Sequence, residues 1–151
     1  MMLAYSARET TKDVDVIAKP SEVALRLART VADRLNLDPS WMNSEVRLFL
    51  SEQGTFAPLE IEELEAVAKR RLKITRASAG YLLAMKCLAA RSALPGFGGD
   101  IADIQFLIRK MGLCTVEQVE EVLERFYLRE VMTPKLRETL EGIIQDGGST
   151  S

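Results

Sequence analysis

Asp13 and Asp15 are the residues of this sequence whose type and spacing are best suited to chemistry. They are separated by one valine in the run T-T-K-D-V-D-V, residues 10–16. Because successive side chains of a strand point to opposite faces, a strand here would carry both carboxylates on one face and Val14 and Val16 on the other. Two carboxylates so placed can hold Mg²⁺, which serves phosphoryl and nucleotidyl transfer. The alternative is an ordinary strand with one polar, exposed face.

Lys86 is the second candidate, because it is the only charged residue between Ser78 and Ala90. The surrounding sequence is apolar and predicts a central buried helix over residues 78–91. An unpaired ammonium in such a helix is costly, so the lysine either extends to the surface or pairs with an acid or a ligand anion. A flexible point charge of this kind suits a phosphate.

Asp100 and Asp103 are the third candidates, at a spacing that places them on one side of a helix's first turn. One interpretation is capping, with Asp100 as the N-cap and Asp103 complementing the helix dipole. The other is that either acid holds Lys86 or Arg91. The preceding G-F-G-G run does not follow a strand, and we interpret it as a turn.

Composition limits the classes of function. The 151 residues, 47% of them hydrophobic, fit a single domain over residues 1–146 with a disordered tail at 147–151. Twenty basic and twenty-two acidic residues give a net charge of −2, so we predict neither membrane association nor sequence-specific DNA binding. The absence of histidine excludes Ser-His-Asp and Cys-His catalysis and most zinc sites. Cys87 and Cys114 lack CxxC spacing and indicate reduced thiols in a cytoplasmic protein.

The first half of the chain predicts strands and one long helix. Residues 13–18 alternate polar and apolar side chains, as a strand does. Residues 21–35 predict an amphipathic helix with Ser21 as its N-cap and an apolar stripe formed by Val23, Leu27, Val31 and Leu35. A short helix or turn over 40–50 and a loop over 51–58 follow. Residues 59–70 predict a charged helix or irregular stretch, and R-L-K-I-T-R-A predicts a strand with Leu72 and Ile74 on one face.

The second half predicts helices only. After the helix at 78–91, a helix over 100–112 ends at Gly112, and the next begins at a Thr115–Gln118 capping box and runs to about Tyr127. Pro134 begins the last helix. The sequence therefore predicts an α+β fold with a small mixed sheet and a mostly helical C-terminal half.

Four segments together resemble the minimal nucleotidyltransferase superfamily. They are L-A-Y-S-A-R-E-T-T-K-D-V-D-V, D-P-S-W-M-N-S-E-V-R-L-F-L, G-Y-L-L-A-M-K-C-L-A-A-R and G-D-I-A-D-I-Q-F-L-I-R-K-M-G. The nearest branch is bacterial proteins akin to AbiEii-type abortive-infection toxins and nucleotidyltransferase antitoxins. The similarity covers roughly residues 2–127 in consistent order. It implies a nucleotidyltransferase-like fold and Mg²⁺-dependent transfer of a nucleotidyl group from an NTP to a protein or RNA acceptor.

The resemblance also assigns roles to residues. Asp13 and Asp15 would be the catalytic, metal-binding carboxylates, and Lys86 would meet the nucleotide's phosphates. Asp103, with Asp100 beside it, would be the downstream acid of the family. Arg8 and Thr11 lie at the polar lead-in to the strand and would contribute to nucleotide binding.

Two departures from the family pattern give an alternative. The family's Gly-Gly or Gly-Ser pair, which opens its first helix and holds the triphosphate, does not precede the Asp13–Asp15 strand in the given sequence, and the segment 71–77 carries no third carboxylate. We expect a longer natural reading frame upstream and an uncovered edge or apolar face that favours self-association. The alternative function is a catalytically impaired, antitoxin-like interaction module that keeps the fold and binds a partner protein.

Overall fold

The computed structural model describes residues 14–59, 72–91, 99–128 and 132–148. Arg8, Thr11 and Asp13 lie outside these ranges, as does most of the segment 59–70. The chain divides into two compact units, Met1–Leu50 and Ser51–Ser151, which are described separately. The single domain over 1–146 stays a prediction.

The first unit is built on a parallel strand pair joined by a helix. Strands β1 (Val14–Asp15) and β2 (Met42–Asn43) pair in parallel, with Val14 opposite Met42 and Asp15 opposite Asn43. Parallel neighbours need a crossover connection, and helix α1 (Ser21–Leu35) supplies it. A 3₁₀ helix, Glu45–Phe49, follows β2. The short helix or turn predicted over 40–50 is therefore found only at 45–49, and strand β2 in the same segment was not predicted.

Helix α1 has the bounds that the sequence predicts, but its N-cap differs. Ser21 is the first helical residue, and the cap position is taken by Pro20 in an extended conformation without a side-chain hydrogen bond. The prediction of Ser21 as N-cap is therefore wrong by one residue. The helix ends at Asn36, whose N–H donates to the Ala32 carbonyl. Its left-handed backbone (φ 53°) turns the Leu37 N–H back to the same carbonyl at 3.0 Å.

The apolar stripe of α1 faces outward. Leu27 is 58% exposed and Leu35 is 65% exposed, whereas the buried residues of the helix are Ala28 and Ala32. The Trp41 indole N–H donates to the Ala28 carbonyl at 2.9 Å. The small side chains of Ala28 and Ala32 let the segment at Trp41 approach the backbone of α1 closely. The buried face of the helix is therefore the alanine face and not the face with the larger apolar residues.

The second unit combines a strand pair with four helices. Strands β3 (Phe56–Pro58) and β4 (Thr75–Ala77) are antiparallel, with Ala57 opposite Arg76. The loop predicted over 51–58 is wrong for β3, and the predicted strand over 71–77 begins only at Thr75, with Leu72 exposed before it. The helices are α2 (Ala79–Arg91), α3 (Gly99–Met111), α4 (Val116–Glu124) and α5 (Pro134–Gly148).

Helix α2 is the centre of this unit. Every side chain described in it, at residues 79–90, is buried or half-buried, as the all-round apolar sequence predicts. It packs against α3, α4 and α5. The largest fully buried side chains among the described residues come from all four helices: Tyr81, Leu83, Cys87, Ile104, Leu107, Val119 and Leu140. The described chain is therefore mixed α+β with small two-stranded sheets and a helical C-terminal half.

The helix ends of the second unit follow local rules. Thr115 and Gln118 form the predicted capping box, with the Gln118 N–H donating to the Thr115 hydroxyl at 3.3 Å. Gly112, at φ 65°, ends α3. Helix α4 ends at Glu124, earlier than predicted.

Within the described ranges, no helix has both the length and the apolar character needed to cross a membrane.

Tyr81 joins the start of the unit to its helices. Its hydroxyl accepts a hydrogen bond from the Ser51 N–H at 2.7 Å. Its ring packs edge-on to Phe56, with centroids 5.6 Å apart, and lies 5.0 Å from the Phe126 ring. A methyl group at Gly54 would lie 2.5 Å from the Tyr81 ring, which is fully buried and held on both sides.

We predict that Gly54→Ala destabilises the protein by about 1–3 kcal/mol, because the ring has no space into which it can move. Gly142→Ala is the matched control, since nothing lies within 4 Å of its added methyl group. The free energy of unfolding of this variant should rise by about 0.5–1 kcal/mol, because alanine stabilises a helix interior relative to glycine. Urea denaturation measures both. Equal stability of the two variants would contradict the packing described for Tyr81.

Candidate functional site

Lys86 and Asp103 form an ion pair between helices α2 and α3. The Lys86 Nζ lies 3.0 Å from a carboxylate oxygen of Asp103. The Asp103 side chain is 5% exposed and that of Lys86 is 27% exposed. Of the alternatives for Lys86, the structure shows pairing with an acid, and Asp103 is the partner.

The pair is explained by the surroundings of Asp103. Among the described residues it is the only charged side chain that is buried. A buried carboxylate is stable only when cations and hydrogen bonds replace the water that it has lost. Lys86 supplies that charge, and since its ammonium has three N–H donors and is partly exposed, it can also donate to an anion arriving from solvent.

Asp100 does not serve as the predicted N-cap. Helix α3 already begins at Gly99, so Asp100 lies within its first turn. Asp103 lies one turn further on, where its carboxylate is buried and held by Lys86. The i, i+3 spacing therefore places one of the two acids in the core.

Asp15 is the one member of the predicted carboxylate pair that the structure describes. It is exposed on β1, next to half-buried Val14, in agreement with alternation along a strand. Its register partner on β2 is Asn43, whose side-chain oxygen accepts a hydrogen bond from the Glu45 N–H at 3.0 Å. Because Asp13 lies outside the described residues, the common face of the two aspartates stays a prediction.

The fit of a metal ion rests on few described ligands. Mg²⁺ prefers carboxylate and other oxygen ligands. Within the described ranges, no group of three or more cysteine, aspartate or glutamate residues is close enough to hold a metal ion. Of the two predicted metal-binding carboxylates, the structure describes only Asp15, and a metal site on β1 would also need Asp13.

Cysteine chemistry has little support at the Lys86–Asp103 pair. Cys87 follows Lys86 directly in α2 and is fully buried, and burial raises the pKa of its thiol to about 12. A thiol with that pKa stays protonated near neutral pH and is a poor nucleophile. The charged pair is therefore the chemically relevant feature of this helix.

A groove in the first unit was not anticipated from the sequence. Its volume is about 660 Å³, and its walls come from α1, β2 and the 3₁₀ helix. Arg29 and Arg47 both line it. They are eighteen positions apart, and the chain brings them together only because the βαβ crossover places α1 beside the segment after β2. Motifs that are recognised by the spacing of nearby residues do not reveal two arginines that line one groove only because of the fold.

We predict that Lys86→Met destabilises the second unit by about 1–3 kcal/mol, since it removes the Lys86 ammonium from the buried Asp103 carboxylate. The value is below that of a fully buried pair because Lys86 is partly exposed to solvent. The double variant Lys86→Met/Asp103→Leu should recover most of the loss, because apolar residues of similar volume replace the pair. Urea denaturation of the four corners of this cycle gives the coupling energy.

Lys135→Met is the control for that cycle, because Lys135 is exposed on α5. It should change the stability by less than about 0.5 kcal/mol. A Lys86→Met variant as stable as Lys135→Met would show that the ion pair contributes nothing. A double variant that loses the full sum of the two single losses would show that the residues do not interact.

Comparisons with family models, curated proteins and solved structures give no match to this chain.

Proposed function

We propose that this chain is a nucleotidyltransferase-like protein that transfers a nucleotidyl group from an NTP to a protein or RNA acceptor with the help of Mg²⁺. The observation that best supports the proposal is the Lys86–Asp103 ion pair. The resemblance assigns the phosphate-facing lysine and the downstream acid to two different segments. These residues lie 3.0 Å apart on successive helices.

Each residue would contribute a defined part of the reaction. Bound Mg²⁺ would supply neutralisation of the triphosphate charge. Asp13 and Asp15 would hold it, and Asp15 has the exposed strand position that such a ligand needs. Lys86 would donate from its ammonium to a phosphate oxygen, and Asp103 would fix the direction of that side chain.

Arg8 and Thr11 would bind the nucleotide at the entrance to β1. The nucleotidyltransferase-like arrangement of the small sheets is part of the same proposal. No histidine is required, because positioned charges and the metal would carry the catalysis.

The second candidate function is an interaction module, and the outward stripe of α1 favours it. Leu27, Val31 and Leu35 are exposed along one side of this helix. Contiguous apolar surface on a soluble protein marks contact sites more often than isolated apolar residues do. A second copy of the chain or another protein would cover the stripe.

The reaction is tested with α-labelled NTPs, Mg²⁺ and a mixture of RNA and protein acceptors. Asp15→Asn should lower the transfer rate by about 100-fold or more, since a metal ligand supplies several kilocalories of transition-state stabilisation. Asp33→Asn is the matched control, an exposed aspartate of α1 in the same unit, and it should keep the rate.

Full transfer by Asp15→Asn would exclude the proposed role of Asp15. Absence of transfer from all four NTPs by the wild-type chain would instead favour the interaction module. Light scattering then distinguishes that case, because Leu27→Gln/Leu35→Gln should reduce self-association.

A further inference from the structure

The groove between α1 and the 3₁₀ helix has the dimensions of a ligand site. Its volume of about 660 Å³ lies within the range of small-molecule sites in proteins. It is formed within the first unit alone, by residues of α1, the segment after it, β2 and the 3₁₀ helix.

The charge of the groove comes from two arginines. Arg29 on α1 and Arg47 on the 3₁₀ helix line it. Among the residues that the structure describes, neither arginine has an ion pair or a side-chain hydrogen bond, and Glu45, which also lines the groove, forms no ion pair with them. Guanidinium groups bind phosphate through paired N–H donors, so two of them at one groove favour a phosphorylated ligand.

The remaining walls are suited to a ligand larger than inorganic phosphate. Leu25, Met42 and Leu48 provide apolar contact surface, and Leu48 is 82% exposed. The Glu45 carboxylate can accept hydrogen bonds from hydroxyl or amino groups, and Asn43 offers a side-chain amide. A nucleotide combines a phosphate, a flat base with apolar faces, and hydroxyl or amino donors.

We propose that this groove binds a nucleoside monophosphate, with its phosphate between Arg29 and Arg47 and its base against the apolar wall. The binding does not require a metal ion. The proposed phosphate site between Arg29 and Arg47 rests on the groove alone. The choice of a nucleotide as the ligand also rests on the proposed function, because Asn43, which lines the groove, is the register partner of Asp15.

The chain provides its own probe for the test. Trp41 is its only tryptophan and lies between Ser40 and Met42, both of which line the groove. AMP and GMP are titrated into the full chain in the absence of divalent cations, by tryptophan fluorescence and by calorimetry. Inorganic phosphate and adenosine, titrated separately, should each bind at least about tenfold more weakly than AMP, since each makes only part of the contacts.

Arg29→Gln and Arg47→Gln should each weaken AMP binding by about tenfold or more, as expected for the loss of a charge-assisted contact. Arg34→Gln is the matched control: it removes the same charge from the same helix, and Arg34 does not line the groove. Circular dichroism confirms that the variants stay folded. Absence of AMP and GMP binding, or equal weakening by Arg34→Gln, would overturn the inference.

The failure of this inference can be distinguished from that of the proposed function. If nucleotidyl transfer depends on Asp15 but AMP does not bind in the groove, the proposed nucleotide site is rejected and the proposed transferase activity is kept. If AMP binding depends on Arg29 and Arg47 but Asp15→Asn keeps the full rate of nucleotidyl transfer, the nucleotide site in the groove is supported and the proposed role of Asp15 in transfer is rejected.

Discussion

The burial of helix α2 on every side is the constraint on which the second unit depends. A helix packed against α3, α4 and α5 leaves Lys86, the only charged residue between Ser78 and Ala90, with few directions to extend. Asp103 on α3 lies within 3.0 Å of it, so the two charges stabilise each other at the edge of the core. The packing at Tyr81, which carries the hydrogen bond from Ser51, extends the same core to the β3–β4 strand pair.

The first unit is organised differently. Its described helix α1 buries only small residues, Ala28 and Ala32, and keeps Leu27 and Leu35 in solvent. The described surface of this unit carries the exposed Asp15 of β1, the outward apolar stripe and the groove lined by Arg29 and Arg47.

Much of the helical half could be predicted from the sequence because its signals are local. The capping box at Thr115, the stop at Gly112 and the start at Pro134 each depend on a few neighbouring residues. The pairing of Lys86 with an acid was one of the alternatives that its apolar surroundings left open, and the sequence alone did not choose between them. Strand β3 was missed, because three residues are too few for a periodic pattern. The outward face of α1 and the groove depend on which distant segments meet, and a single sequence does not contain that information locally.

Hydrogen exchange of the intact chain, followed by mass spectrometry, tests the central role of α2 most directly. Amides that open only on global unfolding exchange slowest. We predict the slowest exchange in peptides covering residues 81–87 of α2 and much faster exchange in peptides covering residues 23–35 of α1. Exchange of α2 as fast as that of α1 would contradict the placement of Lys86 and Asp103 in a stable core.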